Sequence, residues 1–521
     1  MYQTDALNRE CYAGIEGKNL ATMQNGTLLA AVDLGSNSFR LEIGRLDHNR
    51  IHRIEYLKET VRQGNGLDEY RNLTPEAMQR GWDCLARFGE RLAGFKKNQV
   101  RAVATQTLRE ARNRDEFLLR TNKILGFQID VIPGREEARL IYQGVAHHLP
   151  QSSERRLVVD IGGRSTEMIL GKDFQANITE SYRVGSVAWS MRYFPAGQFT
   201  ARAFESAEIA AKAVLDEAVN VYRQDAWDVA YGSSGTIGAV SDILTASGFT
   251  PGLVTKDSLD WLLDRLLKAQ SADRLKLEGI KDDRRSVIGG GVSVLRAIFD
   301  LLGVDRMHAA QGALRHGVLY DLLDRELDQT DLRSTTVLRL ANKFEADGAQ
   351  ALRVSKVAKT LFTMARSAQP AAESEALQRK LSWAAQLHEI GSQISHSDYH
   401  KHGAYILDNA DAPGFALPEL HRLSLLVLGH RGKLRKLELR FDDRFFIQQL
   451  LCLRLSVILC HARREPDLKG LQLESGAEPG RLFVLKCRAG WAEAFPQSAY
   501  LLQEEVLAWQ KTPWTLVLSG L

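Results

Sequence analysis

The sequence predicts two α/β domains followed by a helical one, and three observations predict it. Strand-like apolar runs alternate with amphipathic helical segments from Leu28 to about residue 325. Within that stretch a motif recurs: Leu157-Val158-Val159-Asp160-Ile161-Gly162-Gly163-Arg164-Ser165 restates Ala30-Ala31-Val32-Asp33-Leu34-Gly35-Ser36-Asn37-Ser38. Alternation of strands and helices is the pattern of α/β folds, and a repeat at so long an offset marks two similar domains rather than a solenoid. Beyond Asp328 the strand-like runs cease and helical segments follow one another.

Each element has a local reason. Leu28–Val32 is a short apolar run typical of a buried strand, and Asp33–Ser38 is a turn cluster. Phe39–Gly44 alternates as a second strand, and Ile51–Tyr56 follows as a third. Thr74-Pro75 reads as an N-cap with Pro at the first helical position. Behind it Met78, Trp82, Leu85, Phe88 and Leu92 share one helical face. Strands at Val100–Val103 and Ile129–Ile132 flank a helix around Glu116–Leu125. In the helical half, Val337–Phe344, Val354–Met364, Leu377–Ile390, Leu420–Leu428 and Ile447–His461 read as helices. The tail returns to mixed structure, with strands at Arg481–Lys486 and Thr515–Leu518 around a helix near Glu493–Gln510.

Composition excludes several classes. The 521 residues are 44% hydrophobic and 25% charged, which excludes a mainly disordered chain, a collagen and a disulfide miniprotein. A net charge of +4 is no footprint for nucleic acid, so any anion site must be local. Five scattered cysteines predict free thiols in a reducing compartment. No apolar stretch reaches the roughly 18 residues of a membrane helix. The first 27 residues lack a hydrophobic signal core and read as an N-terminal extension of a cytoplasmic protein.

Three Gly- and Ser-containing turns carry the candidate chemistry. Ser36, Asn37 and Ser38 follow Asp33; Gly162, Gly163, Arg164 and Ser165 follow Asp160; Gly232, Ser233, Ser234, Gly235 and Thr236 lie between a strand and a helix. Such turns let backbone amides and hydroxyls converge on phosphate, and a preceding Asp can hold a divalent cation that neutralises it. Each turn alone is also what an ordinary tight turn looks like; three together favour phosphate. Glu167 would be a second carboxylate beside Asp160 for Mg²⁺, or a strand residue facing solvent. Arg109, just after a strand end, could brace phosphate or be an exposed loop arginine.

Pro133–Tyr142 opens a helix whose inward ridge includes Glu137 and Ile141, with Glu136 one step round beside Arg139. The helix dipole favours a carboxylate there, and such a group could serve as a base for water; acidic residues are also simply common in first turns. There is no GxxxxGK[ST] phosphate loop and no early GxGxxG fingerprint. Gly289-Gly290-Gly291 before a helix suits either nucleotide contact or strand-to-helix packing.

In the helical half, His388-Glu389, His396, Asp398, His400 and His402 invite a metal reading, but the adjacent His-Asp pair of an HD-type site is absent. Arg431, Lys433, Arg435, Lys436 and Arg440, with Arg463-Arg464, form either a solvated helix end or a track for a long polyanion.

Ala31–Phe39, Thr105-Gln106-Thr107-Leu108-Arg109, Gly134–Ile141, Val159–Gly163 and Gly232–Thr236, in this order, resemble the exopolyphosphatase and guanosine pentaphosphate phosphohydrolase family, most closely an exopolyphosphatase. The resemblance continues through Asp321 and Trp383–Gly391, covering residues 28 to 510. It implies two actin/hexokinase-like (ribonuclease H-like) domains, then an all-α HD-like domain and a small α+β C-terminal domain. It places these at residues 28–150, 151–328, 329–468 and 469–521. It further implies hydrolysis of the terminal phosphate of inorganic polyphosphate with Mg²⁺ or Mn²⁺, Glu137 as catalytic glutamate, and Asp160, Glu167 and Asp33 at the metal. Many relatives have Gly-Gly-Gly-Ser where this chain has Gly162-Gly163-Arg164-Ser165, so Arg164 either adds a phosphate contact or narrows the turn. A homodimer is a further family expectation.

The expectation is therefore an exopolyphosphatase. A guanosine pentaphosphate (pppGpp) 5′-phosphohydrolase is the near alternative, and a nucleotide-switched actin-like binding protein the alternative of another class.

Overall fold

The computed structural model describes residues 24–48, 50–150, 152–326, 332–365, 371–476 and 480–520. The expected extension, residues 1–27, lies outside them apart from Gln24–Thr27, and so does Cys11. Among the described residues Cys84, Cys452, Cys460 and Cys487 are free thiols. The chain divides into two compact units. One holds the described residues up to Ile129 and from Leu140 to the helix ending at Glu326; the other holds Asp130–Arg139 and the described residues from Leu332 onward.

The first unit is built around two mixed sheets. The first runs β3-β2-β1-β4-β5, with β1 Leu28–Leu34, β2 Phe39–Asp47, β3 Arg50–Glu59, β4 Val100–Ala104 and β5 Ile129–Val131. The second runs β10-β11-β9-β6-β7-β8, with β6 Arg155–Ile161, β7 Thr166–Lys172, β8 Gln175–Tyr182, β9 Val229–Ser233, β10 Leu253–Thr255 and β11 Arg306–Ala309. In each, the central strand pairs antiparallel with the next strand and parallel with a later one: β1 with β2 and β4, β6 with β7 and β9. The sequence repeat is thus a repeat of sheet topology, and the expected pair of actin/hexokinase-like α/β lobes is present.

β1 and β6 are buried at every position after their first residue, as near-continuous apolar runs between two neighbours should be. Their polar exceptions are Asp33 in β1 and Arg156 and Asp160 in β6, and the two aspartates each fall next to the last position of their strand. The helix Pro75–Arg91 starts where the sequence placed it, with Thr74 Oγ1 accepting from the Ala77 amide at 3.3 Å. The helix Leu314–Glu326 packs on β1. In register with Ala31, Glu42 and Arg101 are its neighbours, and both meet this helix: Arg101 bonds Asp321, and the Glu42 carboxylate receives Arg315 and lies 3.2 Å from His316 Nε2. Pairing offsets the desolvation of these buried charges. Burial opposes the ionised form of Glu42, yet the His316 and Arg315 bonds carry its carboxyl down to about 2.

The second unit packs the helices Leu332–Lys343, Gly348–Met364, Ala371–Leu387, Tyr399–Asn409, Leu417–Gly429 and Arg444–Leu459. It closes with a sheet of order β12-β13-β14, namely Leu471–Ser475, Leu482–Cys487 and Thr515–Ser519, and the helix Pro496–Trp509. Leu473, Phe483, Leu485 and Trp509 belong to one buried cluster with Val354, Leu361, Phe446 and Leu450. The helix Tyr399–Asn409 is where the sequence offered only candidate ligands. Its polar residues hide an inward face of Tyr399, His400, Ala404, Ile406 and Leu407. Strand β12 escaped notice because its alternation is only five residues long. No described helix is long and apolar enough to cross a membrane.

Candidate active site

Strand ends in the first unit position the three turns. After β1 the chain must reverse within a few residues into β2, so Gly35 and small polar residues occupy the turn. Its backbone is fixed from outside: the Arg62 amide donates to Asn37 O at 2.8 Å and the Gly64 amide to Ser36 O at 2.7 Å. Ser36 Oγ accepts from Thr107 Oγ1 at 2.8 Å. Asp33 Oδ2 accepts from Arg40 Nη1 at 2.9 Å. Asp33 Oδ1, Asn37 Nδ2 and Ser38 Oγ are buried with no hydrogen-bond partner among the described residues. Three buried polar atoms left open in one turn are what a site for a charged ligand leaves behind.

The second turn has the same build. The Gly162 amide donates to Ser165 O at 2.9 Å, and Gly162 O in turn accepts from the Ser186 amide and hydroxyl. Asp160 stands opposite Glu167 in the β6–β7 pair, so both carboxylates leave the same face of the sheet. Burial pushes the Asp160 carboxyl up to about 6, with Asp33 adding to the rise while Ser233, Arg40 and Arg315 oppose it. Glu167 is 1% exposed and its Oε1 accepts from Ser181 Oγ at 2.7 Å.

In the third turn two hydroxyls are used structurally. Ser233 Oγ donates to Gly312 O and Thr236 Oγ1 to Ile161 O, each at 2.9 Å, so these residues fasten the loop, and the Thr236 amide donates to Ser234 Oγ at 3.1 Å. Ser234 opens the helix Ser234–Ala246 at φ +93, a conformation that non-glycine residues keep only where the surroundings impose it. Against Gly235 lies the guanidinium of Arg284, so close that a Cβ on Gly235 would strike it. Arg284 is 9% exposed; Asp283 Oδ2 lies 3.9 Å from its Nε, and Asp283 is itself bound to Lys58 Nζ at 2.6 Å. Burial and the neighbouring Arg40 lower its pKa. Arg284 is a buried cation beside the third turn. Nothing in the local pattern marks it beyond a charged stretch, Lys281–Arg285, before the triple glycine.

Arg109 sits on the short helix Gln106–Glu110 that follows β4, where its Nε and Nη2 both donate to Gln106 Oε1 at 3.0 and 2.7 Å. Arg164 Nε and Nη2 donate to Glu110 Oε2 at 3.1 and 2.8 Å, and its Nη1 to Gly64 O at 3.1 Å. Of the two roles offered for Arg164, neither describes these bonds: its guanidinium faces a carboxylate and a carbonyl. The triple glycine serves packing. A Cβ on Gly290 would stand 2.5 Å from Ser186 O, which is how the helix Ile288–Leu302 lies so close to the helix Ser186–Tyr193.

Glu137 is 7% exposed, in the first turn of the helix Gly134–Ala146. Glu136, its neighbour, is 2% exposed: Oε2 accepts from the Gly414 amide and from Arg139 Nε, and Oε1 from Arg139 Nη2, each at 2.8 Å. The i,i+3 pairing with Arg139 follows from helical spacing, while Gly414 is not foreseeable from it. Arg135 pairs with Asp411 of the same loop.

His388 is buried with its Nδ1 2.7 Å from Ala385 O, and its ring meets that of His430 edge-on at 5.4 Å. Glu389 Oε1 accepts from Arg463 Nη2 at 2.9 Å. Among the described residues no three His, Cys, Asp or Glu groups stand together so as to hold a metal.

Comparisons with known proteins agree with this build. A model described as the Ppx/GppA phosphatase family matches residues 43–326, and one described as Ppx/GppA phosphatase, domain III, matches residues 332–506. The chain is 40% identical to a guanosine-5′-triphosphate,3′-diphosphate pyrophosphatase of Vibrio atlanticus, over 85% of this chain and 89% of that one. It is 37% identical to a protein of the same name from Vibrio cholerae, over 94% and 97%. Among solved structures, an exopolyphosphatase-like protein is 26% identical at a TM-score of 0.52, covering 57% of this chain and 98% of that one. An exopolyphosphatase from Cytophaga hutchinsonii, 24% identical at a TM-score of 0.51 and 57% of this chain, shares the fold.

Proposed function

Because the chain belongs to the Ppx/GppA phosphatase family, whose members cleave phosphoanhydrides, we propose that it removes the terminal 5′-phosphate of guanosine pentaphosphate. The products are orthophosphate and guanosine tetraphosphate. The observation that carries the choice is the similarity, over 85% and 94% of this chain, to proteins named for that substrate. The expectation of an exopolyphosphatase accordingly yields to its alternative, with polyphosphate as the second substrate. The reading of an actin-like binding protein falls with membership of a hydrolase family.

In this reading the amides of the turns at Ser36–Ser38, Gly162–Ser165 and Gly232–Thr236 hold the terminal phosphates, with Arg109 and Arg284 supplying positive charge. Glu137 accepts a proton from water as it attacks the terminal phosphorus in line with the leaving β-phosphate oxygen. The remaining work is positioning and electrostatic stabilisation.

The residues present fit a divalent cation. Asp33 Oδ1 is buried and open, and Asp160 and Glu167 share a face. Mg²⁺ prefers one or two carboxylates completed by phosphate and water. Asp160 with Asp33 or Glu167 would hold Mg²⁺, which would supply neutralisation of phosphate charge.

The test is kcat/KM for guanosine pentaphosphate and for long-chain polyphosphate, measured on one preparation with Mg²⁺. The expected result is a preference of about tenfold or more, on the order of 1.4 kcal/mol, for the nucleotide. A preference for polyphosphate would restore the exopolyphosphatase reading.

A further inference from the structure

Four polar side chains run in sequence across the site: Arg164 to Glu110, Glu110 to Gln106, and Gln106 to Arg109. Arg164 belongs to the turn between β6 and β7, in the second lobe. Its three recorded bonds all end in the first lobe, on Glu110 and on Gly64 O. Glu110 Oε1 accepts from Gln106 Nε2 at 2.6 Å, and Gln106 Oε1 accepts from Arg109 Nε and Nη2. The two hairpin turns meet at the same place. A Cβ on Gly163 would come within 2.9 Å of Ser36 Cβ, and one on Gly64 within 3.2 Å of Arg164 Cδ.

The geometry points to a role for Arg164 that neither sequence reading contained: it is a positioning residue. It ties the second lobe to the first through Glu110, and through Gln106 that tie holds the guanidinium of Arg109 in the phosphate site. Three features support the assignment. Both Glu110 oxygens are engaged, one from each lobe, so the carboxylate is the junction of the network. The bonds to Arg164 are charge-assisted and come from two nitrogens of one guanidinium, which fixes orientation as well as distance. The ion pair is mostly shielded, with side chains 20% and 13% exposed, so water competes weakly for it. The inference rests on the reading of Arg109 as a phosphate-site residue; the tie between the lobes does not.

The rival is that Arg164 leaves Glu110 and binds phosphate itself. The two roles give opposite signs in one variant. Glu110→Gln keeps an oxygen for Gln106 but removes the anion that holds Arg164. If Arg164 is a tie, Glu110→Gln and Arg164→Met both raise KM, each by about tenfold with kcat within about threefold. The double variant is then no worse than the poorer single one, because the second change removes an interaction already lost. If Arg164 is a phosphate ligand, Glu110→Gln releases it and lowers KM while Arg164→Met raises it, and that result overturns the proposal. Unchanged KM in both single variants overturns it as well.

Hydrogen exchange of the substrate-free protein gives a readout that does not depend on the substrate. Both variants should exchange faster at residues 105–111 and 162–166, and unchanged protection would sink the tie. If the wild-type protein releases no phosphate from guanosine pentaphosphate or polyphosphate, the functional reading fails and the exchange data still decide whether the tie exists.

Discussion

The turn after β1 and the turn after β6 share a motif, a register and a place in their sheets, yet their aspartates live in opposite surroundings. Opposite Asp33 in the hairpin stands Arg40; at the matching position opposite Asp160 stands Glu167. One hairpin therefore neutralises its aspartate with a guanidinium at 2.9 Å, and the other sets a second carboxylate beside it. Like charges directly opposite on a strand pair are unfavourable unless something else is bound there. The lesson is that a duplicated hairpin can be specialised at one position. In the first turn one aspartate oxygen is paired with an arginine and the other is left open, while in the second two carboxylates stand opposite each other, an arrangement suited to a cation.

The largest effect should come from neither turn. If the two aspartates only bind and organise, the proton from water must go elsewhere, and Glu137 is the group assigned to it. Glu137→Gln should lower kcat by about a thousandfold and change KM for guanosine pentaphosphate little, within the usual range for loss of a general base. Steady-state phosphate release measures this. Turnover within about tenfold of wild type would move the base into the turns, and Asp160, with a carboxyl near 6, would be the group to test next.

The comparison itself breaks most sharply in stability. Asp33→Asn removes the anion from Arg40, a side chain only 21% exposed. An unpaired buried guanidinium is costly, so urea unfolding near neutral pH should register a loss of about 3 kcal/mol. The same substitution takes a negative charge away from Asp160, whose pKa should fall. A variant as stable as wild type would mean that Asp160 takes over Arg40 and that the two turns are interchangeable.

What the sequence disclosed, and what it withheld, divides along contact distance. The hairpins, the apolar central strands, the Thr74 cap and the inward ridge of Glu137 are set by residues within a turn or a strand of one another, so local pattern revealed them. Arg284, the Arg164–Glu110 tie and the Glu136–Gly414 bond join residues 49, 54 and 278 positions apart. No periodicity encodes such pairs. The hydroxyls of Ser233 and Thr236 mislead for the same reason: they look like phosphate donors in the motif, and only the folded chain brings Gly312 O and Ile161 O to them. The histidines of the helical half carry a similar lesson, since His430, the ring that His388 meets, lies on the far side of two helices in sequence.

The smallest effect in the series concerns Asp160 and has the opposite sign to that of Asp33. Its carboxyl titrates near 6 in the folded protein against 3.8 as the ordinary value, so the folded state binds its proton more tightly than the unfolded state does. The stability this contributes is fully present below 3.8 and is lost as pH rises through about 6. Asp160→Asn abolishes the loss. Two pKa units convert to about 3 kcal/mol, and relaxation around the charge reduces what is measurable to about 2. In metal-free protein the variant should thus match wild type near pH 4, gain on it until about pH 7, and hold a constant lead above that. Adding Mg²⁺ should close the gap from the wild-type side, because a bound cation favours the ionised carboxylate that Asn cannot supply. Urea unfolding at several pH values, with and without Mg²⁺, measures both. A lead that does not vary with pH would place Asp160 in the same fixed, paired state as Asp33, and the contrast between the two turns would vanish.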